Sequence, residues 1–463
     1  MEYKISNRLR LTAIILMVVG LLGVGYGFIT SNKSFAEVET MLASETHHGD
    51  GHSEAAGHVE ETHQVETVRH GDHGSDAAHD EGHEVVDEHT KHVNHVMHAM
   101  HNRPWSAFYV AAFFFMMIAL GALAFYALQY VSQSGWSPLI LRVMEGITAY
   151  LLPGALIVLA IAVASGTIGH FNIFVWMNPD MVDPSSADFD KLVAGKKGWL
   201  NTWAFAIRGL IFIAGWSLYR HFSRKFSIAQ DKANDNKNFK KIFRISAGFL
   251  VFFLYTESMM SWDWIMSVDP HWFSTLFGWY VLAGMMVCGI TVIAFITLYL
   301  KSKGLLPNVN DSHIHDLAKF MFAFSIFWTY LWFSQFMLIW YSNIPEEVTY
   351  FVTRIEDYKL PFFGMLAMNF IFPLLLLMNS DYKRVPWFVV MAGVVILGGH
   401  YIDIFNMIMP ASVGDQWYIG IPEIASLLFF AGLFIFIVFT ALTKAPLVQT
   451  RNPFIKESEH FHY

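Results

Sequence analysis

The 463-residue chain has one cysteine, Cys288. A single thiol excludes a disulfide within the chain and an iron–sulfur site held by four cysteines. No CxxCH occurs, so covalent attachment of a c-type haem is excluded too. Charge is scarce: Asp, Glu, Lys and Arg make up 15% of the residues, and the formal net charge is −8. A weakly charged, net acidic chain does not suit a nucleic-acid partner. Deep histidines are scarcer still. Of 22 histidines, 14 fall between His47 and His101, and only His400 sits well inside a hydrophobic run. A b-type haem needs two histidines on facing helices, and a haem–copper core needs more, so neither is expected. Cys288 lies in an apolar segment and reads as a small core residue.

What the chain does have is hydrophobic length. Apolar residues make up 54% of it, in runs long enough to span a bilayer as helices. Ten spans are expected, at about 10–30, 105–131, 147–168, 199–221, 244–265, 275–300, 317–342, 360–379, 386–409 and 422–443. The fold class is therefore an all-α polytopic membrane protein. Basic residues collect on one set of connections: Lys4, Arg8 and Arg10, then the loop from Arg220 to Arg244, then Lys301, Lys303, Lys383 and Arg384, and the tail with Lys444, Arg451 and Lys456. The opposite loops are acidic. The positive-inside rule then puts both termini in the cytoplasm, in agreement with an even number of spans. Residues 1–30 read as a retained anchor. The alternative is a cleaved signal peptide, for which Ser34-Phe35-Ala36 would be the cleavage site.

Residues 31–104 form an acidic, histidine-rich periplasmic loop. His89, His92, His95, His98 and His101 recur every three residues, so a helix would show several of them on adjoining turns. Such a cluster can hold Zn²⁺, Ni²⁺ or Cu²⁺ loosely. The competing reading is a solvated, disordered insertion. Nothing in the segment fixes a metal geometry, and no metal site is assigned.

The stretch Glu257–Tyr280, ESMMSWDWIMSVDPHWFSTLFGWY, sets Glu257, Asp263 and Asp269 among Trp262, Trp264, Trp272 and Trp279 where two spans meet. Indole favours the membrane boundary, and a carboxylate inside it is costly enough to suggest function. At about 1.5 Å per residue, Arg208 and Glu257 lie at matched depth in consecutive spans and could neutralise each other. His400 and Asp403 are three residues apart, on one face of a helix. Arg208–Glu257 is either an ion pair that fixes helix register or part of a proton relay or quinol site. Asp263 is a further candidate for a proton path, although it, Asp269 and His271 fall at the outer surface and suit solvated positions. Glu423 suits its helix N-terminus. Asn369 and Gln335 suit hydrogen bonds between helices. Trp328, Trp332 and Phe336 repeat at helical spacing; they pack a core or flank a quinone ring, with His170 a further ambiguous neighbour.

Glu257–Tyr280, together with Phe327–Tyr341 (FWTYLWFSQFMLIWY) and the following Ser342-Asn343-Ile344-Pro345-Glu346-Glu347, resembles the ActF-type membrane subunit of bacterial alternative complex III, a quinol:cytochrome c oxidoreductase. That subunit is similar to the NrfD or polysulfide-reductase membrane-anchor family. The resemblance implies two four-helix bundles, at residues 105–265 and 266–409, with the first span and the last (410–463, with its tail) at the periphery. It implies an iron–sulfur subunit, multihaem and monohaem cytochrome c subunits and a larger related membrane subunit as partners, in the lipid of a bacterial inner membrane. The iron–sulfur clusters and haem c would belong to those partners; this chain would bind no cofactor of its own, beyond contact with quinol. No catalytic residue is assigned to it. Its role would be quinone-interacting or proton-conducting, through Glu257, Asp263, Asp403, His400 and Arg208. Two other readings stay open: a secondary transporter with a buried ion site near Pro153 and Pro373, and a purely structural anchor.

Overall fold

A computed structural model describes residues 3–49, 81–167 and 172–462. Among the described residues there are helices and no strands. Ten helices are long and apolar enough to cross a membrane: α1 (Asn7–Ser31), α2 (His92–Val131), α3 (Leu141–Thr167), α4 (Thr202–Gln230), α5 (Lys237–Val268), α6 (Phe277–Ser302), α7 (Asp311–Ser342), α8 (Lys359–Leu377), α9 (Pro386–Val413) and α10 (Ile421–Leu442). Each closes its backbone hydrogen bonds within itself, which is what an apolar solvent demands. The chain is a multi-pass helical membrane protein.

Burial separates centre from periphery. The apolar windows of α2 and α6 are each 94% buried, against 22% for α1. α2 packs on α6, α9 and α10 and on α3 and α5; α3 packs on α4, and α4 on α5. On the other side α6 packs on α7 and α9, with α8 between α7 and α9. The α2–α6 crossing is made close by glycine. A Cβ on Gly121 would stand 2.1 Å from the Met285 carbonyl oxygen, and one on Gly289 would stand 2.6 Å from the Ala122 nitrogen. Lipid gives helices little hydrophobic reason to associate, so such close packing supplies much of the attraction. α1 rides on α10 in the same way, through Gly20, Gly27 and Gly432.

Two ends can be told apart by charge. At the basic end, Tyr3 packs on Phe439 of α10 (ring centroids 6.0 Å), and the tail returns to the α4–α5 loop through Arg451 and the Ala233 carbonyl (2.8 Å). Both termini therefore lie there. At the acidic end, α2 is the last part of a 51-residue helix, Glu81–Val131. At 1.5 Å per residue that helix is about 76 Å long, well beyond a hydrocarbon core of ~30 Å. Its projecting part pairs with the helix Phe35–Gly49 through Val38, Val93 and Val96. Valine and histidine alternate in register: Val93 and Val96 are buried while His89, His92, His95 and His98 are exposed. This part of the segment is thus an ordered helix with an exposed histidine face, and not the disordered insertion that is one reading of its composition. The other histidines, from His52 to His79, lie outside the described residues.

α8 is irregular. A π turn, Ala367–Ile371, lies just before Pro373. Proline has no N–H to give to the preceding turn, and a wide turn absorbs that loss. Between α7 and α8 the short helix Pro345–Glu356 caps the acidic end and buries Phe351 and Arg354.

Candidate functional site

At the acidic end of α9 the spacing of His400 and Asp403 places both side chains in the interior, 1% and 2% exposed. His400 Nδ1 stands 3.5 Å from Asp403 Oδ2. Three helices build the rest. Tyr280 of α6 donates its hydroxyl to Asp403 Oδ1. Trp328 of α7 donates its indole N–H to Oδ2 (2.9 Å), and its ring meets the His400 imidazole edge-on, 5.3 Å between centroids and 87° between planes. Gly284 of α6 faces the same ring; a Cβ there would stand 3.4 Å from His400 Nδ1, an ordinary contact. Among the described residues neither imidazole nitrogen has a hydrogen-bond partner.

The nearest candidate cation is otherwise engaged. Arg354 donates Nε to the Asn406 carbonyl (3.0 Å) and another N–H to the Tyr350 carbonyl (2.8 Å), and it lies 3.4 Å over the Tyr350 ring. Among the described residues no Arg or Lys pairs with Asp403. A cleft lined by Tyr280, Trp332, Gln335, Arg354, Asp403 and Asn406, among others, has a volume of about 10 Å³. Gln335 is 4% exposed, and its side chain makes no hydrogen bond among the described residues.

The aromatic candidates divide. Trp328 holds Asp403, and Trp332 lines the cleft. Phe336 stacks behind Trp332 (6.0 Å, 7°) and packs on Phe351. His170 lies outside the described residues.

The second carboxylate centre, on α5, differs from expectation. Arg208 of α4 pairs with Asp263 and not with Glu257: Nε to Oδ2 is 2.7 Å and the second contact, to Oδ1, is 3.1 Å. The Trp199 indole donates to the same carboxylate (2.9 Å), and the Arg208 guanidinium lies 4.1 Å from the Trp199 ring centroid. Asp263 is 1% exposed, so it is interior and not at the solvated surface. The physical reason is reach. A long arginine side chain extends toward the water side of its own Cα, and meets α5 nearer its end than equal depth implies. Glu257 is left with hydroxyls, Ser261 Oγ at 3.0 Å and Ser258 Oγ at 3.5 Å, and is 1% exposed. Asp269 and His271 are partly exposed, as expected, and His271 Nε2 lies 2.5 Å from Asp190 Oδ2. That contact and the backbone N–H groups of Val193 and Leu192 hold the Asp190 carboxyl below the usual range.

Two buried ion pairs escaped the sequence reading. At the basic end Arg142 and Glu145, three residues apart on α3, pair at 2.8 Å. Glu145 also accepts from Tyr126 (3.1 Å) and Ser227 (2.6 Å), and Arg142 reaches Asp231 at 2.5 Å. Gln449 of the tail joins through Ser227 (2.9 Å) and Tyr130 (2.9 Å). At the acidic end Glu423 caps α10 by accepting from the Gly420 N–H (2.8 Å), as its position suggests. It also takes a bidentate grip from Arg103 (2.8 and 2.9 Å). The i, i+3 spacing of Arg142 and Glu145 was a readable signal; the partner of Glu423, some 320 residues away, was not.

Among the described residues no group of three or more His, Cys, Asp or Glu is placed to hold a metal. Comparison of the chain with models of known protein families and with curated proteins finds no match. Fold and site therefore define a class: a ten-span helical membrane protein with two buried aspartate centres near one end, only one of which is neutralised by arginine.

Proposed function

We propose that this chain is an integral membrane subunit of a quinol:cytochrome c oxidoreductase of the alternative complex III type, and that it conducts protons. In this reading α2–α5 and α6–α9 are two four-helix bundles with α1 and α10 outside them. The protein sits in a bacterial inner membrane, its basic end and both termini cytoplasmic, its acidic end periplasmic. Quinol gives up two electrons and two protons. In this reading the electrons pass through the iron–sulfur and cytochrome c subunits, and quinol oxidation belongs to the larger related membrane subunit. Protons need only carboxylate, imidazole and water.

The observation that carries the reading is Asp403. It is buried, held by Tyr280 and Trp328, close to an imidazole with two unpartnered nitrogens, and without arginine or lysine. An unpaired buried charge is costly, and a proton shared with His400 removes that cost. In the step proposed, an N–H bond of protonated His400 breaks as the Asp403 O–H bond forms, Asp403 then gives that proton to water toward the acidic end, and no electron is exchanged. The adjoining cleft of about 10 Å³ is near the smallest space that holds a water, too small for a quinone ring. That favours a proton path over a quinone site at Trp328, Trp332 and Phe336. Glu257 is the second member of the path. Asp263, closed by Arg208, is assigned a structural part.

One observation favours a second reading, a secondary transporter. Asn369 lies on the π turn of α8, 0% exposed, with both amide atoms unpartnered, and transporter sites are commonly built on broken helices. Purification from native membranes in mild detergent separates the two. Co-purifying c-type haem with quinol-dependent cytochrome c reduction supports the respiratory subunit. A haem-free protein that moves ions in vesicles supports the transporter.

A further inference from the structure

A large recess opens at the acidic end, away from both carboxylate centres. Its volume is about 740 Å³, and it lies between the end of α1, the helix Phe35–Gly49, the projecting part of the α2 helix and the start of α10. The lining is apolar on one side, with Val38, Met41 and Met100, and aromatic at its mouth, with Tyr26, Trp417 and Tyr418. Aromatic residues of this kind mark headgroup level.

The charges around the recess are unequal. Arg103 is fully engaged by Glu423 and by the Tyr418 carbonyl. Glu37, near Lys33, is turned to the Ser34 N–H and hydroxyl (2.7 and 2.8 Å). Lys33 is half-buried, and its Nζ contacts the Met41 sulfur but no carboxylate among the described residues. A thioether does not neutralise an ammonium. Glu37 acts on Lys33 only from beyond ion-pair distance, so a half-buried cation without a direct counter-ion lines the recess and suits an anion with an apolar body. From the recess the outer face of α1 continues as bare hydrocarbon, with Ile29 78% and Leu22 70% exposed.

We propose that this recess holds one anionic phospholipid of the leaflet at the acidic end, its phosphate against Lys33 and its acyl chains along α1. Asp415, exposed on the wall, opposes the headgroup and sets the affinity below its maximum. The site is independent of the proton path and of the respiratory assignment.

The test uses the full chain, purified and delipidated, then mixed with phosphatidylglycerol or phosphatidylcholine and examined by native mass spectrometry. The wild type retains a single phosphatidylglycerol and little phosphatidylcholine. Lys33→Gln lowers retention about fivefold, the size expected for one lysine at a membrane surface, and Asp415→Asn raises it, which keeps the proposal testable if the lysine variant misfolds. Saturating inorganic phosphate does not displace the lipid. Equal retention by wild type and both variants, equal retention of the two lipids, or displacement by free phosphate overturns the proposal. So does tight lipid binding that appears only once residues 50–80 are deleted, because the chain itself would then occupy the recess.

Discussion

Asp263 and Asp403 make a matched pair with opposite solutions. Each sits near the acidic end of its helix, each is at most 2% exposed, and each accepts a hydrogen bond from a tryptophan indole at 2.9 Å, Trp199 in one case and Trp328 in the other. Asp263 then receives a two-point guanidinium contact from Arg208. Asp403 receives a phenol from Tyr280 and an imidazole neighbour. Arginine keeps its charge throughout the accessible pH range, so the first centre has one electrostatic state. The phenol and the imidazole beside Asp403 bring no such fixed charge. Under the proposed function, the difference separates a clamp between helices from a proton-exchanging site.

Removing the clamp gives the largest expected effect. Arg208→Gln strands Asp263 in the interior, and loss of one partner of a buried pair costs about 3–5 kcal/mol. Thermal unfolding in detergent should show a lower midpoint, with loss of assembled protein. Arg208→Gln combined with Asp263→Asn should recover much of that loss, because no charge is then left unpaired. If the double variant is no more stable than the single one, the clamp is not electrostatic.

Next in size, Asp403→Asn should lower proton-coupled turnover about a hundredfold, within the usual range for removal of a proton-transferring group, while the protein stays assembled. The comparison sharpens if Glu257→Gln gives a smaller fall of the same kind. A variant of Asp403 that unfolds as readily as Arg208→Gln would make the two centres alike and remove the distinction.

Smaller again, Tyr280→Phe takes one hydrogen bond from Asp403 and should cost about 1 kcal/mol. Its clearer signature is a shift in the pH profile of turnover, larger than that of Ser261→Ala, which takes a hydrogen bond from Glu257, the second member of the path.

The smallest effect belongs to the exposed pair His271–Asp190. Asp190 is held below the usual aspartate range, so its contribution is present in full above about pH 4, the unfolded value, and is lost as pH falls through the lower folded value. Hydrogen exchange of residues 190–200 should therefore quicken only in acid, and Asp190→Asn should bring the faster rate to neutral pH. The stability change stays small because exposed pairs are screened.

All ten spans were legible in the sequence, since the hydrocarbon thickness sets a length that apolar runs must meet. Their ends were less so. α3 begins at Leu141, before the expected 147, because Arg142 and Glu145 cancel each other and become compatible with burial. α7 begins at Asp311, before the expected 317, where His313 and His315 are buried near the basic end. His400–Asp403 was readable from one helix alone. Arg208–Asp263 was not: residue counting gives height within the membrane but neither the direction a helix faces nor the reach of a long side chain. Trp328 was marked as an aromatic stripe, yet its role lies in the indole N–H, which periodicity does not show. Tyr280 closed the first motif without being singled out, for the same reason.

The most direct measurement of the central claim is proton release per electron, in the complex reconstituted into vesicles, for wild type and Asp403→Asn with assembly verified by its haem content. Proton release should fall in the variant while the haem content stays that of the wild type. Unchanged proton release would contradict the account and leave Asp403, like Asp263, a structural carboxylate.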